Sequence, residues 1–136
     1  MDAQTFTSIR ILVADDFQRF RQFISSTLRP RPDWQIICEV ADGLEAVQKA
    51  ELQPDLIVLD IGLPKLNGIE AARRIGKLSP KSKILFVTVE SSPDVVQEAL
   101  SLGGGYVLKA QAARDLLAAM EAVLQGKQFV SSDLLG

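Results

Sequence analysis

Short apolar runs alternate with amphipathic stretches along almost the whole chain. Ile9–Ala14 (IRILVA), Gln35–Val40 (QIICEV), Asp55–Asp60 (DLIVLD), Lys83–Thr88 (KILFVT) and Gly105–Lys109 (GYVLK) are rich in β-branched and aliphatic residues. Within these runs the apolar positions are continuous and do not alternate with polar ones. Strands buried on both faces look like this, as in a parallel sheet covered by helices. Between the runs, apolar residues recur at helical spacing. Phe20, Phe23, Ile24 and Leu28 form one stripe, and Leu44, Val47 and Ala50 a second. Ile69, Ala72, Ile75 and Leu78 form the third, and Val95, Val96, Ala99 and Leu100 the fourth. Leu116, Leu117, Met120, Val123 and Leu124 form the fifth.

Helix starts are marked. Asp42 with Glu45, and Asn67 with Glu70, place a side-chain acceptor at an N-cap and a Glu three residues on. Ser92-Pro93 fits a cap followed by proline in the first turn. Ala110–Ala113 offers no cap, so the start of the fifth helix is not fixed. Five strand–helix units in about 120 residues predict a doubly wound α/β sheet with short loops. Periodicity alone does not give the strand order. Gly103-Gly104-Gly105 reads as a tight helix-to-strand turn. The last ten residues, 127–136, read as a tail or the start of a linker after a domain spanning 9–126.

Composition narrows the chemistry. The 136 residues are 47% hydrophobic and 24% charged, one domain with material for a core. The net charge of -2 argues against direct nucleic-acid binding. With no histidine in the chain, imidazole acid–base catalysis, Ser-His or Cys-His nucleophiles and imidazole metal ligands are excluded. The single cysteine, Cys38, allows no internal disulfide or thiolate zinc site and reads as an inert buried thiol. A metal here must be held by oxygen, which favours Mg²⁺, Mn²⁺ or Ca²⁺. Residues 1–8 carry no basic residue and no apolar h-region, so no signal peptide is expected. No stretch approaches the about 18 to 20 apolar residues of a membrane span, so a cytoplasmic location is expected.

In open α/β sheets the functional site lies beyond the carboxyl ends of the strands. Asp15 and Asp16 follow the first strand, and Asp60 ends the third. Thr88 ends the fourth and Lys109 the fifth. Three carboxylates brought together repel one another unless a cation lies among them. Mg²⁺ takes carboxylate and carbonyl oxygens readily. With Lys109 it would make a site suited to a phosphoryl group, with an Asp carboxylate as nucleophile. No GxxxxGK[ST] loop exists, and the Gly103–Gly105 run enters a strand, so neither nucleotide motif applies. Trp34 reads as packing at the sheet edge, and Tyr106 as core on the face opposite Lys109.

The segments RILVADD, PDLIVLDIGLPKLNG, ILFVT and GGGYVLK, in this order and spacing, resemble the receiver domain of bacterial two-component response regulators. The resemblance covers about Ile9 to Gly126 and implies a flavodoxin-like fold, a five-stranded parallel sheet in the order 2-1-3-4-5. It implies Asp60 as phosphoacceptor, taking its phosphoryl group from a sensor histidine kinase. It implies Asp15, Asp16, Asp60 and the Gly62 carbonyl as Mg²⁺ ligands. Thr88 would hydrogen-bond the phosphoryl group, Lys109 would pair with it, and Tyr106 would be the aromatic switch residue. Pro64 and Gly68 match the family's loop after the acceptor strand.

Gly62 departs from the commonest pattern, with no side chain to shield or polarise an attacking water. Glu90 adds negative charge near the site, and Val89 is bulkier than the small residue often found beside the threonine. The glycine-rich turn and the tail GKQFVSSDLLG resemble regulators with a C-terminal helix-turn-helix output domain that controls transcription. No such domain lies in these residues. A homodimer is left open, since no stripe decides an interface. Such a chain is a switch and not an enzyme, beyond catalysing its own phosphorylation and dephosphorylation. A haloacid dehalogenase-type phosphatase would need a DxD motif on the first strand, where Asp15-Asp16-Phe17 stands. A receiver fold that signals by binding alone would not need the complete residue set.

Overall fold

The computed structural model describes residues 8–134. Residues 1–7, which hold most of the expected N-terminal tail, and residues 135 and 136 fall outside the described part. The elements alternate: β1 (Ile9–Ala14), α1 (Gln18–Leu28), β2 (Trp34–Val40), α2 (Gly43–Lys49), β3 (Leu56–Leu59) and α3 (Gly68–Leu78) come first. β4 (Lys83–Thr88), α4 (Pro93–Leu102), β5 (Gly105–Leu108), α5 (Ala112–Leu124) and β6 (Phe129–Val130) follow. All strand pairs are parallel, in the order β2-β1-β3-β4-β5-β6. No helix among the described residues is long and apolar enough to cross a membrane.

The continuous apolar runs arise because successive residues of a strand feed two cores. Ile11 and Val13, Leu56 and Val58, Leu85 and Val87, and Val107 pack with Ile24 of α1 and with Leu116 and Met120 of α5. Their neighbours Leu12, Ala14, Ile57, Leu59, Ile84, Phe86 and Tyr106 pack with Ala46 of α2, Ile75 of α3 and Ala99 of α4. Two helices therefore cover one face and three the other.

Both expected N-caps form, although neither Glu carboxylate returns a bond to the N-cap amide. Asp42 accepts from the Glu45 amide at 2.8 Å, and Asn67 from the Glu70 amide at 3.0 Å. Ser92 occupies the α4 N-cap but makes no side-chain cap bond, and its hydroxyl donates to Glu90 Oε1 at 2.8 Å instead. The uncapped start of α5 is explained by a 3₁₀ turn at Lys109–Gln111 that feeds the helix. Trp34 opens β2 as a buried residue, with the Arg31 guanidinium 3.9 Å from its ring centroid. Cys38 is half-buried, not buried as expected, because β2 lies at the edge of the sheet.

The sheet has six strands, one more than expected. β6 pairs with β5 through Phe129 N–H to the Gly104 carbonyl (3.2 Å) and Ser131 N–H to the Tyr106 carbonyl (2.9 Å). Buried Ser131 locks this addition. Its Oγ accepts from the Leu108 amide at 3.1 Å and donates to Asp115 Oδ2 at 3.2 Å. A two-residue strand is too short for periodicity to reveal, yet it satisfies backbone groups that would otherwise line an open edge.

The Gly103–Gly105 turn is tight because neighbouring atoms leave no room. A Cβ at Gly105 would lie 2.8 Å from Leu85 and 2.9 Å from Val123. Gly68 is tighter still, with a Cβ only 2.1 Å from the Asp60 carbonyl oxygen. Gly76, on the exposed side of α3, meets nothing within 4 Å. Gly76→Ala should stabilise the protein by about 0.5–1 kcal/mol, and Gly68→Ala should destabilise it by about 2 kcal/mol or more. Urea unfolding of the two variants beside the wild type checks both signs.

Candidate functional site

β2 and β3 flank β1, so the chain reverses its winding direction at β1, and the crevice beyond that strand is the expected place for a site. The backbone ladder runs one residue past the strands there. The Asp15 amide donates to the Val40 carbonyl and the Asp60 amide to the Ala14 carbonyl, both at 3.0 Å. These bonds fix both carboxylates at the mouth of the sheet. Carboxylate oxygens of Asp15, Asp16 and Asp60 lie within 4.8 Å of one another, with Asp15 and Asp60 buried and Asp16 exposed.

Lys109 completes the cluster. Its Nζ lies 2.8 Å from Asp15 Oδ2 and 3.2 Å from Asp60 Oδ2. The Phe17 amide donates to Asp15 Oδ1 at 2.8 Å, and the Gly62 amide to Asp60 Oδ1 at 3.3 Å. Burial pushes the Asp15 carboxyl above its ordinary range, helped by the charge of Asp60. Lys109 and the Phe17 amide oppose this without cancelling it. Burial would lower the Lys109 ammonium, but the two carboxylates beside it win and hold it above its usual value. Three carboxylates against one ammonium leave two uncompensated negative charges. The donors are all oxygen, two of them buried and one open to solvent, which suits a hard divalent cation such as Mg²⁺.

Thr88 is buried at the end of β4, the same end of the sheet. The Glu90 amide points to Thr88 Oγ1 at 3.4 Å, and the Tyr106 hydroxyl donates to the Glu90 carbonyl at 2.7 Å. The backbone of Glu90 thus links threonine and tyrosine. Tyr106 is fully buried with its ring inward, 6.3 Å from that of Phe86. Burial, with the charges of Glu90 and Asp60, pushes its hydroxyl up to about 12. Val89 stands 79% exposed on the rim. A Cβ at Gly62 would meet nothing within 4 Å. Pro64 anchors the following loop, its carbonyl accepting from the Leu66 and Gly43 amides, and Lys65 between them has φ 69°.

Asp15, Asp16, Asp60 and Lys109 therefore meet in one cluster, with Thr88 and Tyr106 on the adjoining strands. Arg21 of α1 belongs beside them, though no sequence pattern singled it out. Its Nη1 donates to the Asp15 carbonyl at 2.6 Å, and its Nε pairs with Glu39 at 3.2 Å. The one available signal was its place one turn into α1, five residues after the acidic pair. Phe17 and Phe20 also reach the cluster, with ring centroids 5.7 and 4.6 Å from Lys109 Nζ. The helical stripe marked Phe20 as core only.

Comparison with known proteins bears on the family and the fold. The family model for the response regulator receiver domain matches residues 11–121. The transcriptional regulatory protein DegU of Brevibacillus brevis is 34% identical over 124 residues, which cover 90% of this chain and 52% of DegU. The response regulator protein VraR of Staphylococcus aureus is 35% identical over 130 residues, covering 94% of this chain and 62% of VraR. The chain thus spans between about half and three-fifths of the length of these relatives. A two-component response regulator of the LuxR family from Aurantimonas superposes with a TM-score of 0.87 at 32% identity, over 94% of this chain and 93% of that one. The isolated receiver domain of RcsB from Salmonella enterica, at 23% identity and a TM-score of 0.87, shares the fold.

The charge imbalance has a consequence for stability. Asp15 has a folded pKa above its unfolded value of 3.8, so its ionised form weakens the fold at neutral pH. The penalty fades as pH falls through the folded pKa, because the buried carboxyl then takes up a proton. In chelator-treated buffer, Asp15→Asn should be more stable than the wild type by about 1 kcal/mol at pH 7. The gap should close as pH drops through the carboxylate range. Urea unfolding of both proteins across that range is the check.

Proposed function

The chain belongs to the response regulator receiver domains, phosphoryl-accepting switches of two-component signalling, and on that premise we propose that Asp60 is its phosphoacceptor. The observation that carries this reading is the convergence of Asp60, Asp15 and Lys109 at the point where the sheet reverses. The donor is the phosphohistidine of a sensor histidine kinase. An Asp60 carboxylate oxygen attacks phosphorus in line, the phosphorus–nitrogen bond breaks, and the imidazole leaves with its electron pair. Lys109 neutralises charge on the phosphoryl oxygens in flight, and the Thr88 hydroxyl donates to one of them. Asp15, Asp16, Asp60 and the Gly62 carbonyl would hold a Mg²⁺ ion, which supplies two positive charges where the phosphoryl group lands.

The product carries more negative charge than the carboxylate it replaces. Thr88 is drawn to it, and the shift passes through the Glu90 backbone to Tyr106, whose hydroxyl that backbone already holds. The face formed by α4, β5 and α5 changes shape as a population shift. Water later hydrolyses the acyl phosphate, with no side chain at position 62 to shield it. These self-directed steps are the only catalysis in this reading. The signal passes to an output that controls transcription through a DNA-binding region other than these residues. The chain itself makes no contact with DNA or membrane and works in the cytoplasm, with a homodimer as one way to pass the signal on.

Intact-mass spectrometry after incubation with acetyl phosphate tests the acceptor. A single phosphoryl adduct should appear with Mg²⁺, vanish when a chelator replaces it, and be absent in Asp60→Asn. A folded wild type that stays unmodified throughout, or an Asp60→Asn variant still modified at the same rate, would refute the assignment.

A further inference from the structure

Lys109 reaches its carboxylates on a long, flexible stem and leaves β5 just as the strand ends. Its ammonium is bounded on the α1 side by aromatic rings, Phe20 at 4.6 Å and Phe17 at 5.7 Å from ring centroid to Nζ. Phe17 is the N-cap of α1, with an extended backbone, and Phe20 lies in the first turn of the helix. Both are pinned. The Phe17 amide donates to Asp15 Oδ1, and the Phe20 ring lies 5.4 Å from that of Phe23. Phe17 is 69% exposed, a large apolar side chain kept at the rim of an acidic pocket.

We propose that Phe20, assisted by Phe17, is a positioning residue for phosphoryl transfer, gripping the Lys109 ammonium with its ring face. During transfer Lys109 exchanges carboxylate oxygens for phosphoryl oxygens. A hydrogen bond to Asp15 or Asp60 has to break for that exchange. A cation over a ring face is held by the ring quadrupole without any single bond, so this grip persists while the oxygen partners change. The rings also keep water off one side of the ammonium, which strengthens its pull on the incoming charge. The proposal deepens the reading of Asp60 as acceptor and rests on it.

Fluorinated phenylalanines placed at position 20 separate a grip from packing, because they drain the ring's negative face with little change of shape. The readout is the rate of Mg²⁺-dependent phosphorylation by acetyl phosphate. The maximal rate should fall stepwise with fluorine number, by about three- to ten-fold in total. The donor concentration giving half-maximal rate should hold constant. Phe20→Leu should match the most fluorinated ring and Phe20→Tyr should restore the wild-type rate. The same fluorinated residues at Phe129, on β6 opposite the start of β5, should have no effect. A rate flat across the position-20 series in folded protein would overturn the proposal. NMR gives a readout independent of transfer. Ring current should move the Lys109 Hε protons upfield in the wild type, and Phe20→Leu should abolish that shift. Unshifted protons in the wild type also overturn the grip. A wild type that takes no phosphoryl group, while the shift is present, places the failure in the acceptor reading, and the positioning role falls with it.

Discussion

Two buried carboxylates share one ammonium, and the architecture around them exists to hold that unequal arrangement. Asp15 and Asp60 would separate in a flexible chain, where water solvates each of them. Here each is tied by its own amide to the neighbouring strand, and Lys109 spans the two from the end of β5. The pairing is incomplete. One positive charge cannot balance three carboxylates, so the site keeps an appetite for further cations and for a group that carries its own counterion. A pocket fully neutralised by the protein would be more stable and would have less to offer a transferring phosphoryl group.

The rest of the fold sets the strain that this arrangement can bear. Both cores are filled by single strands serving two faces, so β1 and β3 cannot slide without disturbing helices on either side. The loop after Asp60 folds back so closely that Gly68 touches the Asp60 carbonyl, and Lys65 takes a left-handed backbone to let it turn. On the far side, β6 and the Ser131–Asp115 contacts brace β5, the strand that carries both Tyr106 and the approach to Lys109. Arg114 beside Asp115 keeps that carboxyl below its ordinary range, so the brace stays charged at neutral pH. Charge in the pocket is thereby connected to the edge of the sheet through one strand.

Much of this was legible in the residues. Runs such as Asp55–Asp60 announced strands buried on both faces, and Asp42 and Asn67 announced helix starts, because each signal is local and contained in a few neighbouring positions. The acid pocket was legible for the same reason: each of its members ends a strand. Other features had no local signature. β6 is two residues long, and its stability comes from Ser131 meeting Asp115 on a distant helix. Phe20 looked like any core position in a helical stripe, since only the folded chain brings Lys109 under its ring. Arg21 carried no pattern beyond its place after the acidic pair. The half-exposure of Cys38 followed from strand order, which periodicity does not contain.

The pocket's excess negative charge is either a binding site or a structural accident. Thermal unfolding of the wild type against Mg²⁺ concentration, at constant ionic strength held with potassium chloride, decides between the two. For a binding site, stability should rise with the logarithm of Mg²⁺ concentration, by about 2.7 kcal/mol at a hundredfold excess over the dissociation constant. Asp16→Asn should show a much weaker rise, because it removes one ligand while leaving the buried pair intact. A wild type whose unfolding ignores Mg²⁺, or an Asp16→Asn variant that responds as strongly, would show that the acidic cluster is not a cation site.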